Sequence, residues 1–300
     1  MSVSAGCRSF DLCDDATGAT FPVLVMYPSN SPARFTHLGP YTLDLANEGP
    51  LAPGPLIPIV ISHGTGGSHL VYRTLAAHLA RNGFLVAMPE HPRNNRNNND
   101  LSGTAVNLAN RPRHIRLVMD WAFSSDAFGS SLQPHTAAII GHSLGGYTAL
   151  ATAGGRPTAF PHETSERQSR RIDVIPDGRV KALVLLAPAT VWYMEPGALS
   201  GVRVPILMLT GEKDPHTPPI HAEIVKRGVA DPAMVEHRVI ANAGHFSFLT
   251  PFPEAMTNPA CPPSQDPEGF DRARFHQEMN AEVLEFLNRT VKPLRSNART

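Results

Sequence analysis

One serine in this chain stands in the setting that nucleophilic chemistry requires. Ser143 lies within Gly141-His142-Ser143-Leu144-Gly145-Gly146, after the apolar residues 137–140 and before the Ala/Leu-rich residues 147–151. A G-x-S-x-G pattern between a buried strand and a helix lifts the hydroxyl onto a sharp, strained turn. Glycines at 141 and 145 leave room where that turn packs against neighbouring backbone. A serine hydroxyl is a weak nucleophile at neutral pH, so it needs a base within hydrogen-bond reach and a carboxylate to orient that base.

Two later segments offer the partners. Residues 206–210 are apolar and run into Gly211-Glu212-Lys213-Asp214; residues 235–240 run into Ala241-Asn242-Ala243-Gly244-His245. His245 is the favoured base among fourteen histidines, because it follows a strand end directly behind a glycine. His237 lies inside that strand, and His216 and His221 follow no strand end. Asp214 is the favoured acid over Glu212 and Glu195. Acyl transfer also needs two backbone N–H donors for the oxyanion. Leu144, the residue after the nucleophile, supplies one. Thr65, in Ser62-His63-Gly64-Thr65-Gly66-Gly67, is the best second donor, since Gly64 lets the backbone turn its amide inward. Trp192 and Tyr193 after one strand, and Phe246 and Phe248 after the histidine, are the pocket candidates; each could equally cap the core.

The elements that must position these groups are legible from residue 56 onward. Apolar strands over 56–61, 84–88, 137–140, 182–187, 206–210 and 235–240 alternate with helical patterns. Those patterns include one over about 110–123, with Ile115, Val118, Met119 and Ala122 on one face, and a last one carrying Phe275, Met279, Val283, Phe286 and Leu287. Two further strands, over 7–13 and 21–27, form an antiparallel edge. Residues 28–55, rich in proline and glycine, read as an irregular loop. Alternation of this kind implies a mostly parallel sheet of about eight strands, covered by helices on both faces, with functional groups on loops at the strands' carboxyl ends. No composition break divides residues 1–300, which read as one domain. A short polar insertion at about 156–178 borders the mouth of the site.

Bulk composition excludes several classes. Apolar residues make up 42 % and charged residues 17 %, and 26 basic residues balance 26 acidic ones. Neither nucleic acid nor an anionic membrane finds a basic face to bind. No apolar run is long enough to span a bilayer, and no signal peptide is visible, which points to the cytoplasm. Cys7, Cys13 and Cys261 have no metal-ligand spacing and read as free thiols, a bridge from Cys7 or Cys13 being the alternative. The chemistry asks for no metal and no organic cofactor, and nothing sets an oligomeric state.

The set Ser62–Gly67, Pro89-Glu90-His91-Pro92, Gly141–Gly146, Gly211-x-x-Asp214 and Gly244-His245-Phe246 resembles the α/β-hydrolases over about residues 7–290. Within them it is most similar to platelet-activating-factor acetylhydrolases and dienelactone-hydrolase-like bacterial esterases. The resemblance implies a Ser143–His245–Asp214 triad and a small-molecule carboxylic ester substrate. Two departures matter. Dienelactone hydrolases use a cysteine where this chain has Ser143. The acetylhydrolases take their acid from the strand after the elbow helix, where this chain has Ala187-Pro188-Ala189. The loops at 94–99 and 156–178 lack the apolar lid of an interfacial lipase, which favours a soluble, moderately polar or short-acyl ester. An amidase or peptidase, or a lactone or xenobiotic-ester hydrolase, would use the same triad. A silent hydrolase-fold binding protein would be expected to lack a triad member.

Overall fold

The computed structural model describes residues 3–292. Its first strands are β1 (Ser4–Asp14), β2 (Ala19–Ser29), β3 (Arg34–Leu38) and β4 (Tyr41–Asn47). Then β5 (Ile57–Ser62), β6 (Phe84–Pro89) and β7 (Ala137–His142) alternate with helices α1 (Arg73–Arg81), α2 (Ala105–Ser124) and α3 (Leu144–Thr152). The two-residue strands β8 (Thr158–Ala159) and β9 (Arg170–Arg171) form a separate ladder within the polar insertion. The chain closes with β10 (Val180–Leu186), β11 (Ile206–Gly211), α4 (Ile220–Gly228), β12 (Val235–Ile240) and α5 (Arg272–Thr290).

Ten strands make one sheet in the order β12-β11-β10-β7-β5-β6-β2-β1-β4-β3. From β6 to β12 every neighbouring pair is parallel, whereas β2 runs antiparallel to both β6 and β1. The two strands beyond the expected eight come from residues 28–55. Prolines 28, 32, 40, 50, 53 and 55 suggested a loop there. Most of them fall between strands, and Gly39-Pro40 forms the two-residue turn of the β3–β4 hairpin, with Gly39 at φ +57°. β4 then pairs with β1 and buries Leu45 and Ala46.

Both sheet faces are covered, and the period of two in the strands divides the core. Met26, Ile59, Ile61, Val86, Ile140, Val184 and Leu209 point to α1 and α5; Val25, Val60, Leu85, Ile139, Leu183 and Met208 point to α2, α3 and α4. α2 starts earlier than the sequence suggests. Thr104 caps it by accepting from the Asn107 amide at 3.2 Å, and Pro112 is carried inside the helix. All three cysteines are free, and burial pushes the Cys7 thiol up to about 12.

Candidate active site

β7 delivers Ser143 at φ +55°, ψ −121°, a conformation an L-residue holds only when its surroundings enforce it. The enforcement is backbone contact. A Cβ on Gly145 would lie 1.9 Å from the Ser62 carbonyl oxygen, and one on Gly141 would lie 2.1 Å from the Gly145 oxygen. The Ser143 amide donates to Leu186 at 3.0 Å, and Ala189 donates to the Ser143 carbonyl at 2.9 Å, clamping the turn to β10.

Three strand ends bring the polar groups together. Ser143 Oγ lies 2.9 Å from His245 Nε2, and His245 Nδ1 lies 2.7 Å from Asp214 Oδ2. Asp214 also accepts from the His216 amide at 2.8 Å, the Thr217 amide at 3.0 Å and the Thr217 hydroxyl at 2.5 Å. Burial opposes its ionisation, yet these donors and the imidazole hold its carboxyl well below the usual carboxylate range. With the acid fixed as an acceptor, Nδ1 of His245 carries the proton and Nε2 is free to accept one from Ser143. Glu212, Glu195, His221 and His237 lie elsewhere: Glu212 accepts from the Asn242 amide, Glu195 pairs with Arg171, His221 accepts from Thr190, and His237 meets Thr210.

His142, which precedes Ser143 in the G-x-S-x-G pattern, supports His245 from behind. The Tyr72 hydroxyl donates to its Nδ1 at 3.1 Å, and its Nε2 donates to the His245 carbonyl at 3.0 Å. Burial, with His245 adding to it, pushes His142 down to about 3, so it stays neutral.

On the other side of Ser143 lies the loop after β5. Gly64 is so close that a Cβ there would be 3.1 Å from the serine Cβ. A wholly buried cation holds this loop. Arg111 of α2 donates through Nη2 to the His63 carbonyl and, at 3.2 Å, to Ser62 Oγ; through Nη1 to Asn94 at 2.6 Å; and through Nε to Thr148 of α3 at 3.0 Å. Burial lowers its pKa to about 9, which leaves it charged at neutral pH. No carboxylate pairs with it among the described residues. Asn94 in turn donates to Thr65 Oγ1 at 2.9 Å.

The fold has solved counterparts. The chain is similar to a ferulic acid esterase from Streptomyces cinnamoneus, with a TM-score of 0.68 and 19 % identity over 99 % of this chain and 93 % of that one. This chain has the α/β-hydrolase fold. A family model described as platelet-activating factor acetylhydrolase, isoform II, matches residues 31–100, which hold β3 to β6 and the loop after β5. No curated protein sequence matches it.

Two cavities meet at Ser143. The larger, about 580 Å³, contains His245 and is walled by Tyr41, Val71, Phe246, Leu249, Phe252 and Met256. The smaller, about 220 Å³, is walled by Thr65, Leu108, Leu144, Glu163 and Trp192. Of the four sequence candidates for the pocket, Phe246 and Trp192 face these cavities. Tyr193 and Phe248 do not: they are 2 % and 1 % exposed, Tyr193 donating to the Tyr147 carbonyl and Phe248 packing on Phe275. Alternation within a short 3-10 turn sends one neighbour outward and the next into the core. The insertion reaches the site through Glu163, whose carboxylate accepts from Trp192 Nε1 at 2.9 Å.

Sequence reading missed His142, Thr217, Asn94 and Arg111. Arg111 had a usable signal: it lies four residues before Ile115 and seven before Val118, a charge on the apolar stripe of α2. Among the described residues no helix is long and apolar enough to cross a membrane, and no three His, Cys, Asp or Glu side chains are grouped to hold a metal ion.

Proposed function

We propose that this chain is a single-domain serine hydrolase that cleaves carboxylic esters by two-step acyl transfer. The observation that carries the reading is the continuous Ser143–His245–Asp214 chain, at 2.9 Å and 2.7 Å, beside a nucleophile held at positive φ. Ser143 Oγ attacks the ester carbonyl carbon as its proton passes to His245 Nε2. The resulting oxyanion is held by the backbone N–H groups of Leu144 and Thr65, and Asp214 stabilises the imidazolium. The tetrahedral intermediate then expels the alcohol, whose oxygen takes the proton from Nε2. Water attacks the acyl-serine by the same route in reverse, releasing the acid.

The leaving oxygen must approach His245 Nε2, so the alcohol portion belongs in the cavity that contains His245. The acyl portion falls to the smaller one, beside Leu144 and Thr65. A volume of about 220 Å³ suits a short acyl group. The larger wall is more apolar than the polar loops suggested, which favours an aromatic or aliphatic alcohol.

The test is a panel of p-nitrophenyl esters of increasing acyl length set against p-nitroanilides. Hydrolysis fastest for acetyl and propionyl esters, and slow for anilides, is the expected result. Ser143→Ala should lower kcat by on the order of 10⁶ and abolish fluorophosphonate labelling while leaving the circular dichroism unchanged. Labelling that survives this substitution overturns the reading.

A further inference from the structure

The run Asn94-Asn95-Arg96-Asn97-Asn98-Asn99 is built as a tight loop around its one charged residue. Asn95 Oδ1 accepts from the amides of Asn97 at 2.9 Å and Asn98 at 3.0 Å, and the Asn95 amide donates to the Asn98 carbonyl at 2.8 Å. Asn95 Nδ2 ties the loop to the His91 carbonyl at 2.9 Å, and the Arg96 amide donates to Gly67 at 2.8 Å. Asparagine suits positions 95 and 98, because there its side chain replaces backbone partners that a sharp turn leaves out, Asn98 Oδ1 accepting from the Asp100 amide at 3.0 Å. The outcome is that Arg96 is carried to the wall of the larger cavity, next to Gly67.

Arg96 is the sole Arg, Lys, Asp or Glu among the described residues lining that cavity. Its guanidinium has no ion pair or hydrogen-bond acceptor among the described residues. Its neighbours are committed: Arg93 lies 3.9 Å from Asp100, and Arg73 stacks on Tyr41 at 3.8 Å and donates to Pro251 at 2.6 Å. An unpaired guanidinium at a wall with no other Arg, Lys, Asp or Glu is shaped to accept a planar carboxylate through two parallel N–H donors.

We propose that Arg96 forms an anion subsite in the larger cavity, selecting esters whose apolar alcohol portion carries a carboxylate. This rests on the proposed placement of the alcohol beside His245. A matched substrate pair tests it: 4-acetoxyphenylacetate and the corresponding neutral amide, with homologues in which the carboxylate is one or two methylenes further out. The wild-type protein should favour the acid in kcat/KM by about tenfold at low salt, with the preference shrinking as salt is raised. Arg96→Gln should abolish that ratio and Arg96→Glu should invert it; the side chain is exposed, so both variants should fold. Equilibrium binding of 4-hydroxyphenylacetate and its amide to Ser143→Ala should show the same ratio without turnover, and Arg96→Gln in that background should remove it.

Equal treatment of acid and amide, or a preference that persists in Arg96→Gln, overturns the subsite. A preference seen only when the carboxylate is on the acyl side, as in a mono-aryl succinate, overturns its placement. Failure of the esterase reading is distinguishable: the wild-type protein would then turn over neither ester, or Ser143→Ala would still turn over both, while the binding comparison continues to report on Arg96.

Discussion

Asn94 Nδ2 donates to Thr65 Oγ1 at 2.9 Å, and through Asn94 the buried Arg111 reaches the loop proposed to hold the oxyanion. An oxyanion donor works by being in place before charge develops, and losing one costs about 2.7–4 kcal/mol of barrier. Asn94→Ala loosens the donor without deleting it, so kcat should fall about tenfold with KM within about twofold. Arg111→Met should cost more, because it frees Ser62, His63, Asn94 and Thr148 together. Met119→Ala, in the core of the same helix, should lose about 3 kcal/mol of stability while keeping kcat. If Met119→Ala loses kcat equally, general loosening explains the effect.

Asp214 sets both the tautomer and the orientation of His245. On the proposed mechanism, Asp214→Asn should lower kcat by about 10⁴ with little change in KM, by analogy with the same substitution in chymotrypsin-like proteases. Thr217→Val removes the 2.5 Å hydroxyl donor to Asp214 and should have a smaller effect, about tenfold. Steady-state kinetics on both variants checks the order. A Thr217 effect as large as that of Asp214 would mean that threonine does more than fix the carboxylate.

Gly145→Ala places a methyl group against the Ser62 carbonyl, where a Cβ would be 1.9 Å away. Neither atom belongs to a flexible side chain, so the backbone of β5 or of the turn must move. A loss of more than about 4 kcal/mol, or failure to accumulate as folded protein, is expected. Urea denaturation measures it.

Asp14 supplies a pH-dependent part of the stability. Burial opposes its charge, but Arg113 at 2.6 Å and the Thr17 hydroxyl at 2.8 Å hold its pKa down to about 2. A folded pKa below the unfolded value of about 3.9 stabilises the fold above about pH 4, and that stabilisation is lost as pH falls toward 2. Asp14→Asn should therefore cost on the order of 2 kcal/mol at pH 7 and progressively less below pH 4. An equal cost at pH 7 and pH 2.5 in chemical denaturation would refute the linkage.

The sequence by itself determined what is local and repetitive. Apolar strands alternating with amphipathic helices dictate a covered parallel sheet, because neither face can stay wet. A strand, G-x-S-x-G and a helix dictate a raised serine, and a glycine-histidine step after the last strand marks an imidazole at the same sheet end. The sequence reading stopped at residues 28–55, where prolines hid β3 and β4. Neither strand contains a proline: those at 32, 40, 50, 53 and 55 fall in the connections, where no ladder amide is needed. The tertiary structure decided what depends on distance between remote segments. Asp214 rather than Glu212 meets His245, Trp192 rather than Tyr193 faces a cavity, and Arg111 reaches across three elements. Neighbours in sequence share nearly the same local propensity, so only packing determines which is buried, which is solvated and which touches the serine.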